Sequence, residues 1–431
     1  MTTQEEPASA AGGEAPNRKK KLWVLSLVPF IMVLGNSMLI PVLPKMMAVL
    51  HLTLFQAGLV VTAFSIPAGL LIPLAGALSD RIGRRVVMVP ALVIYGVAGI
   101  LAGGSALILP HPYPWIIAFR ILQGIGAGGT YQLAMAVAGD MYESRSRARA
   151  LGLLESANGV GKVVSPIAGS AVALILWFAP FFVYGLLSFP IAFLVWRVIR
   201  EPEQQRAKGS FGQYWRGIQH TFGQKAGSIL VSFLAGAVVL FVLFGVLSYL
   251  ADVLEKIYGI HEFPRGLLIA IPVLFSAMTS YAAGTVLQKR LARWARPVVA
   301  GGLALIGVSM VAEALIRNPF WALTALVLQG IGTGATLPSL NTLVTSATST
   351  KERGAITSLY GSVRFFGVAM GPPLFALAMT HRTGVFLGAA ALAFATALAG
   401  WFLINESVML PKSLRHGGPT RQDAGARQPV G

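Results

Sequence analysis

Four ionisable residues lie inside segments that are otherwise apolar enough to cross a membrane: Arg120, Glu155, Lys162 and Arg364. A charge at the centre of a bilayer costs roughly 2.5–3.5 kcal/mol on insertion scales, so such residues mark substrate or ion pathways by default. A desolvated lysine or glutamate can also bind or release a proton near neutral pH. These residue types therefore predict ligand binding and proton transfer within a membrane.

Glu155 and Lys162 stand seven residues apart, with Asn158 between them. That spacing places both charges on one helical face, two turns apart. Lys162 is expected near the bilayer midplane, roughly 20 Å along its helix. We expect Glu155 and Lys162 to be the candidates for a coupling proton. The alternative is a structural role, in which the two form a buried pair that fixes the fifth membrane helix against the eighth.

Arg120 and Arg364 make three deep cations against one deep carboxylate. A central cavity with this balance is net positive, which favours an anionic, zwitterionic or neutral amphiphilic substrate over a simple cation. Asn36 and Gln123 complete the candidate residues for substrate or proton binding. Arg120 lies roughly 7 Å from the outer end of its helix, so it could alternatively snorkel to the membrane surface.

The sequence lacks the residues that several other kinds of chemistry require. The chain has no cysteine, which excludes disulfides, thiol catalysis and thiolate metal sites. All six histidines fall in predicted loops or tails. The phosphate-binding pattern Gly-x-x-x-x-Gly-Lys-Ser/Thr does not occur. We therefore expect neither an enzyme nor an ATP-driven pump, and no cofactor or metal.

The elements that must position these residues are membrane helices. Of 431 residues, 55% are hydrophobic and only 12% are charged, and the mean hydropathy is +0.69. About 20 apolar residues cross a bilayer. The sequence predicts an all-α protein with twelve spans, at about 22–48, 55–78, 86–108, 115–139, 149–171, 174–197, 227–250, 265–287, 297–316, 319–343, 354–378 and 383–404. We number them spans 1 to 12, and we expect span 1 to be a retained helix rather than a cleaved signal peptide.

The Lys and Arg residues behind the net charge of +18 are distributed unevenly between the two sides of the predicted membrane helices. Of the 34 Lys and Arg residues, 26 fall in segments that are cytoplasmic if the N-terminus is inside, five fall in external segments and three lie within spans. This bias predicts that both termini are cytoplasmic. Binding of nucleic acid is therefore not needed to explain the positive charge. We expect a multi-pass protein of the cell membrane, and specifically of a bacterial inner membrane.

The spans divide into two bundles of six. We expect disordered cytoplasmic tails at 1–21 and 405–431, a first six-helix bundle at 22–197 and a second at 227–404. The linker at 198–226 carries aromatic and aliphatic residues at helical spacing, which predicts a helix lying in the cytoplasmic membrane interface. A tether with a few aromatic anchors is the alternative. The residues concerned are Phe211, Tyr214, Trp215, Ile218 and Phe222.

An internal repeat relates the two bundles. The octamer Gln123–Thr130 in span 4 recurs as Gln329–Thr336 in span 10, at an offset of 206 residues. Ser165-Pro166 in span 5 matches Gly371-Pro372 in span 11 at the same offset. The repeat predicts two pseudo-symmetric halves in parallel topology. Such halves carry substrate near the midplane by alternating access.

Four motifs resemble those of the major facilitator superfamily, in its twelve-helix drug:proton antiporter branch. They are Gly76-Ala-Leu-Ser-Asp80-Arg81-Ile-Gly83-Arg84-Arg85 between spans 2 and 3, Arg120-Ile-Leu-Gln123-Gly-Ile-Gly in span 4, Gly161-Lys-Val-Val-Ser165-Pro166-Ile-Ala-Gly169 in span 5, and the span 1 segment from Leu34 to Pro44. The resemblance covers roughly residues 20–405. It implies a monomeric secondary transporter for efflux, with protons as the coupling ion and a small molecule as the substrate.

The resemblance also implies residue roles. Asp80, Arg84 and Asp140 would form a charge cluster that latches the two halves, supported by the rest of the loop motif. Arg120 would order the proton pathway or bind substrate. Gly161, Ser165, Pro166 and Gly169, with Gly371 and Pro372, would pack spans closely.

Two positions depart from the family pattern. Ser165 stands where glycine is usual, so close packing is expected on one side only, at Gly371. Asn36 stands where cation exporters often carry a carboxylate. Two other functions stay open: uptake of a metabolite or movement of a lipid-like molecule, and a membrane sensor without transport.

Overall fold

The computed structural model describes residues 11–142, 144–199, 211–287, 291–347 and 353–409. It does not describe the side chains of 11–17, 144–149, 211–222, 224, 285–287, 291–293, 319 and 353. Within these ranges every regular element is a helix. The rest of the chain lies outside the described residues, including much of both predicted tails and the linker from 200 to 210.

The first half contains spans 1 to 6, and two of them are interrupted. Span 1 breaks near Pro41 and Pro44, because proline cannot donate the hydrogen bond that continues a helix. Span 4 breaks at Gly129 and Thr130, whose backbones leave the helical region. In order, the helices are Ala11–Ser37, Ile40–Val42 (a 3-10 turn), Leu43–Leu50, Leu54–Ile82, Arg84–Ile108, Tyr113–Gly128, Tyr131–Met141, Ser144–Ala173 and Ala179–Val198.

The second half repeats this plan with spans 7 to 12. Its helices are Phe211–Lys256, Glu262–Leu287, Leu291–Leu315, Pro319–Ser346, Arg353–Ala376, Ala378–Leu403 and the short Glu406–Met409. The backbone leaves the helical region at Lys225 (φ −133°, ψ 16°), which separates the segment from 211 to 224 from span 7. The linker helix therefore exists in the backbone. Its place in the membrane interface stays a prediction, because its side chains from 211 to 222 are not described.

Nine helices are long and apolar enough to cross a membrane by themselves, counting only the described residues. The predicted spans that do not reach this threshold are spans 4, 5 and 11. Span 4 is broken into two shorter helices, and spans 5 and 11 carry charged residues. All three nevertheless pack within the helical bundle, and the all-helical, twelve-span layout of two halves is confirmed.

Two predicted tail boundaries change. The first helix begins at Ala11 rather than Leu22, because Arg18 and the lysines at 19–21 are good helix formers that extend the helix beyond its apolar part. At the other end, Glu406–Met409 forms a short helix instead of the start of a disordered tail. The Glu406 carboxylate holds it in place by accepting a hydrogen bond of 2.7 Å from the Arg296 backbone amide.

The repeat is visible in the packing. A Cβ on Gly124 of span 4 would lie 2.2 Å from the Phe64 carbonyl oxygen, and one on Gly330 of span 10 would lie 2.1 Å from the Pro272 carbonyl oxygen. Both distances are far below van der Waals contact, so only glycine lets these helices approach so closely. Span 4 therefore packs on span 2 as span 10 packs on span 8.

Two seams join the halves. Span 2 packs along span 11, where Thr62 Oγ1 donates to the Ala369 carbonyl oxygen at 2.6 Å and Ser362 Oγ donates to the Gly69 carbonyl oxygen at 2.5 Å. Span 5 packs on span 8, where Gly266 approaches the backbone of span 5. The predicted midplane residues lie beside these seams.

Candidate functional site

Arg120 is completely buried between spans 1, 2 and 4. Its Nε donates to the Val60 carbonyl oxygen and its Nη1 to the Gly35 carbonyl oxygen, both at 2.9 Å. Nη1 also donates to Gln123 Oε1 at 2.7 Å, and Nη2 donates to Asn36 Oδ1. One guanidinium group thus ties three spans of the first half together.

This arrangement overturns the snorkelling alternative for Arg120. The side chain has 0% exposure, and its guanidinium carbon lies 4.4 Å from the centroid of the Phe64 ring. Asn36 continues the network, since its Nδ2 donates to Ser65 Oγ at 3.2 Å. The structure therefore brings Arg120, Asn36 and Gln123 together in one buried network of the first half.

Glu155 lies between the two halves. Its Oε1 accepts a hydrogen bond of 2.6 Å from the Tyr131 hydroxyl on span 4 and one of 3.4 Å from Asn341 Nδ2 on span 10. Asn341 in turn accepts from Arg364 Nη1 at 3.1 Å through its Oδ1. A continuous hydrogen-bonded path therefore runs from span 4 through Glu155 to span 11.

Lys162 completes this group without bonding to it directly. The lysine is half-buried and lies close enough to Glu155 and Arg364 to interact with both electrostatically. Among the residues that the structure describes, it makes no hydrogen bond or ion pair. The predicted buried pair of Lys162 with Glu155 therefore does not form, and the described partners of Glu155, which both bond to its Oε1, are Tyr131 and Asn341. Asn158 is half-buried on the same helix.

We call this group the central cluster; its members are Tyr131, Glu155, Lys162, Asn341, Tyr360 and Arg364. The Arg364 guanidinium carbon lies 5.3 Å from the centroid of the Tyr360 ring, within cation–π range. Two cations stand against one carboxylate, so the cluster carries a formal excess of one positive charge. Charge alone did not reveal the three neutral members, although Asn341 could have been noticed as a polar residue in an apolar span.

The loop between spans 2 and 3 contains the predicted charge cluster. Arg84 Nη1 lies 2.5 Å from Asp140 Oδ2, and its Nη2 lies 3.5 Å from Asp80 Oδ1. Gly83 separates the two helices at φ 107°, a conformation that favours glycine. All three charged partners belong to the first half, so the latching role stays a prediction.

The remaining loop residues lie around this cluster. Arg85 places its guanidinium carbon 5.8 Å from the Trp196 ring centroid, and Arg81 is exposed. Gly76 approaches the other half, because a Cβ on it would lie 3.0 Å from Ser358 Oγ on span 11. We call this end of the molecule the basic end; the sequence predicts that it is cytoplasmic.

The motif in span 5 packs closely on span 1 despite its serine. Ser165 turns its hydroxyl back onto its own helix, donating to the Gly161 carbonyl oxygen at 2.5 Å. A Cβ on Gly169 would lie 2.2 Å from the Met38 carbonyl oxygen. In the second half a Cβ on Gly371 would lie 2.6 Å from the Phe241 carbonyl oxygen. The expectation of close packing on one side only is therefore wrong.

Glu313 also has a different partner from the expected one. The sequence places it four residues before Arg317, which predicts a contact along one helix. Instead Glu313 Oε2 lies 3.6 Å from Arg382 Nη2, at the start of span 12, and the glutamate is buried. The contact links spans 9 and 12, and a helix-spacing rule cannot anticipate it.

Two helical halves with a half-buried polar cluster at their seam are the arrangement expected of a membrane transporter that works by alternating access. The model of the Major Facilitator Superfamily matches residues 25–372 and, in a second match, 293–426. The chain belongs to this superfamily. It is thus a multi-pass membrane transporter and not an enzyme.

Two relatives are named for export. The chain is 37% identical to the bacillibactin exporter of Bacillus subtilis (strain 168) over 368 residues, which covers 85% of this chain and 91% of that protein. It is 27% identical to the multidrug efflux protein YfmO of the same organism over 379 residues, covering 85% and 88%.

A solved structure supports the fold. The human organic anion transporter MFSD10 superposes with a TM-score of 0.72 at 18% identity, covering 89% of this chain and 99% of that one. At this identity the likeness concerns the fold alone.

Proposed function

We propose that this transporter exports a small amphiphilic molecule in exchange for protons. The observation that carries the proposal is Glu155, a membrane carboxylate of the first half that accepts a hydrogen bond from Asn341 of the second half as well as one from Tyr131 of its own half. A proton on this group changes the bonds that hold the halves together, which is what coupling of an ion to alternating access requires. Similarity to a bacillibactin exporter and to a multidrug efflux protein supports the outward direction.

Lys162 is the second candidate for the coupling proton. It is half-buried beside Arg364, and it has no bonding partner within the described part of the chain. A lysine held near another cation in a desolvated site releases its proton more readily than one in water. In this proposal Glu155 and Lys162 bind and release the coupling proton. Arg364, Tyr131 and Tyr360 contact the substrate.

The excess positive charge of the central cluster bears on the substrate. An anionic, zwitterionic or neutral amphiphile fits it better than a simple cation, since a cation would face both Lys162 and Arg364. Bacillibactin is a suitable first probe, because the relative at 37% identity is named for its export.

Flux into proteoliposomes with an imposed pH gradient tests the proposal. An exchanger accumulates bacillibactin in vesicles with an acidic lumen, whereas uptake together with protons accumulates it in vesicles with an alkaline lumen. We expect accumulation in the acidic lumen, and a loss of at least about tenfold in gradient-driven flux for Glu155→Gln or Lys162→Met. Substrate–substrate exchange should persist in Glu155→Gln, because it needs no net proton movement.

The matched control is Arg317→Met, which removes an exposed cation from the far end of span 9. It should transport like the wild type. Unchanged gradient-driven flux in both cluster variants would refute the assignment of the proton. Accumulation only in alkaline vesicles would instead establish uptake, and a fluorescent amphiphile panel without any flux would favour the sensor.

A further inference from the structure

A single ion pair joins the two halves among the residues that the structure describes. Lys45 Nζ lies 3.0 Å from Glu262 Oε1. Lys45 belongs to the short helix that ends span 1, and Glu262 is the first residue of span 8. The pair lies at the end of the molecule opposite the basic end.

Lys45 also reaches a third element. Its Nζ donates to the Ala173 carbonyl oxygen at 3.1 Å, and Ala173 is the last residue of the span 5 helix. The last carbonyl groups of a helix have no partner within it and carry partial negative charge, so a cation is favourable there. One ammonium group thus connects the ends of spans 1, 5 and 8.

Glu262 is held in position by its own neighbours. Its backbone has φ 53°, in the left-handed region that glutamate seldom adopts. Next to it, His261 Nδ1 lies 3.1 Å from Glu255 Oε1, and Arg265, which is buried, forms an ion pair with the same carboxylate. Glu255 on span 7 therefore fixes the turn that presents Glu262 to Lys45.

The seam between spans 5 and 8 is tight next to this pair and looser away from it. A Cβ on Gly266 would lie 2.4 Å from Ser170 Oγ and 2.6 Å from the Pro166 carbonyl oxygen. Further along the seam, toward the basic end, a Cβ on Gly159 would first meet the Ala277 Cβ, at 4.0 Å. The ion pair thus lies where this seam is closed.

We propose that Lys45 and Glu262 are positioning residues for transport, whose ion pair keeps this end of the molecule closed during the part of the transport cycle in which the basic end opens. Alternating access requires the pair to separate once in each cycle. The exposure of the side chains, 31% for Lys45 and 44% for Glu262, suits this role. Half-exposed pairs are weak enough to break readily, yet they bias an equilibrium between two conformations. The proposal rests on transport by alternating access and not on the identity of the coupling ion.

Reversible crosslinking tests it directly. The chain has no cysteine, so Lys45→Cys/Glu262→Cys places two thiols in an otherwise thiol-free protein. Both native side chains are long, so a short reducible bis-thiosulfonate reagent suits the gap better than a direct disulfide. We expect crosslinking to abolish bacillibactin flux in either gradient direction, and reductant to restore it. Full flux through the crosslinked protein would overturn the proposal, as would failure of the two thiols to crosslink.

Swapping the two charges distinguishes an effect of the ion pair from an effect of side-chain shape. Lys45→Met and Glu262→Gln should each shift the ratio of the two access states by about twofold to fivefold toward opening at this end. Spin-label distances across the seam, from pairs placed away from both residues, report that ratio. The swap Lys45→Glu/Glu262→Lys should restore it, whereas Arg317→Met should leave it unchanged. A swap that behaves no better than the single variants would contradict the proposal.

Discussion

At the scale of single residues, the free-energy cost of burying Arg120 is offset by hydrogen bonds from all three nitrogen atoms of its guanidinium group. A buried guanidinium is unfavourable in an apolar bundle unless its donors find acceptors. Here the acceptors are two backbone carbonyl oxygens and the side chains of Asn36 and Gln123. The neutral Asn36 fits this role, because it accepts from Arg120 while it donates to Ser65. Arg120 therefore stabilises the first half whatever else it does in transport.

Arg120→Lys should consequently destabilise the protein even though it retains the charge. Lysine cannot reproduce the planar fork that contacts spans 1, 2 and 4 at once. Three of the four bonds join different helices, and interhelical hydrogen bonds in membrane proteins contribute on average about 0.6 kcal/mol each, so losing these three should cost about 2 kcal/mol. Thermal unfolding in detergent, followed by tryptophan fluorescence, measures this. An unchanged melting temperature would show that the network contributes little to stability.

The identity of the deep charged residues could be predicted from the sequence, but their partners could not. Arg120, Glu155, Lys162 and Arg364 are evident as charges in apolar segments. Tyr131 and Asn341 approach Glu155 from other helices, and only the tertiary packing places them there. Glu313 shows the same limit, since a rule about spacing within one helix cannot reveal a partner on span 12.

At the scale of elements, the length of an apolar segment predicts most of the spans. It fails for three spans that carry residues of the candidate site. Nine of the described helices satisfy the criterion alone. Spans 4, 5 and 11 do not, and these three carry Tyr131, Glu155, Lys162 and Arg364. A helix that lines a polar site has less apolar surface than one that faces only lipid or apolar neighbours. This is why the three spans that fail the apolar criterion are also spans that carry the candidate site. Helix ends moved by several residues because caps and breaks depend on local backbone geometry.

The glycines of spans 4 and 10 give a prediction at this scale. Gly124→Ala and Gly330→Ala should each lower the free energy of unfolding by about 1–3 kcal/mol, because the new Cβ would meet a fixed backbone carbonyl oxygen. Gly104→Ala in span 3 is the control, since no atom lies within 4 Å of its Cβ position. It should be neutral or stabilise by up to about 1 kcal/mol. Equal melting temperatures for all three variants would contradict the packing interpretation.

At the scale of the whole molecule, the two halves share packing but not chemistry. At the repeat offset of 206 residues, Leu326 corresponds to Arg120 and Gly361 to Glu155. The first half therefore supplies the carboxylate of the central cluster, and the second half supplies Arg364. The internal repeat explains the shared packing of the halves, whereas the few positions at which they differ explain why the polar side chains of the central cluster are distributed unequally between them.

Exchange of substrate for protons has an equilibrium signature in the whole protein. If the two compete for one conformational cycle, a bound proton must weaken substrate binding, and a bound substrate must weaken proton binding by the same factor. The affinity for bacillibactin in detergent should therefore fall as pH is lowered, by up to about tenfold per pH unit for one proton. Glu155→Gln should flatten this dependence. Affinity that rises on acidification would indicate that proton and substrate travel together.

The coincidence of weak spans with the polar site also matters during biosynthesis. Spans 4 and 5 emerge from the ribosome consecutively, and the described part of neither reaches the apolar length that the other spans of this half provide. We therefore expect the insertion of span 4 to depend on spans 1 and 2, which supply acceptors for Arg120, and that of span 5 to depend on span 4, which supplies Tyr131 to Glu155. In the second half span 11 stands alone, since spans 10 and 12 on either side of it are apolar enough to cross a membrane by themselves. The polar and charged residues of spans 4 and 5 should thus concentrate the risk of failed membrane integration in the first half of the chain.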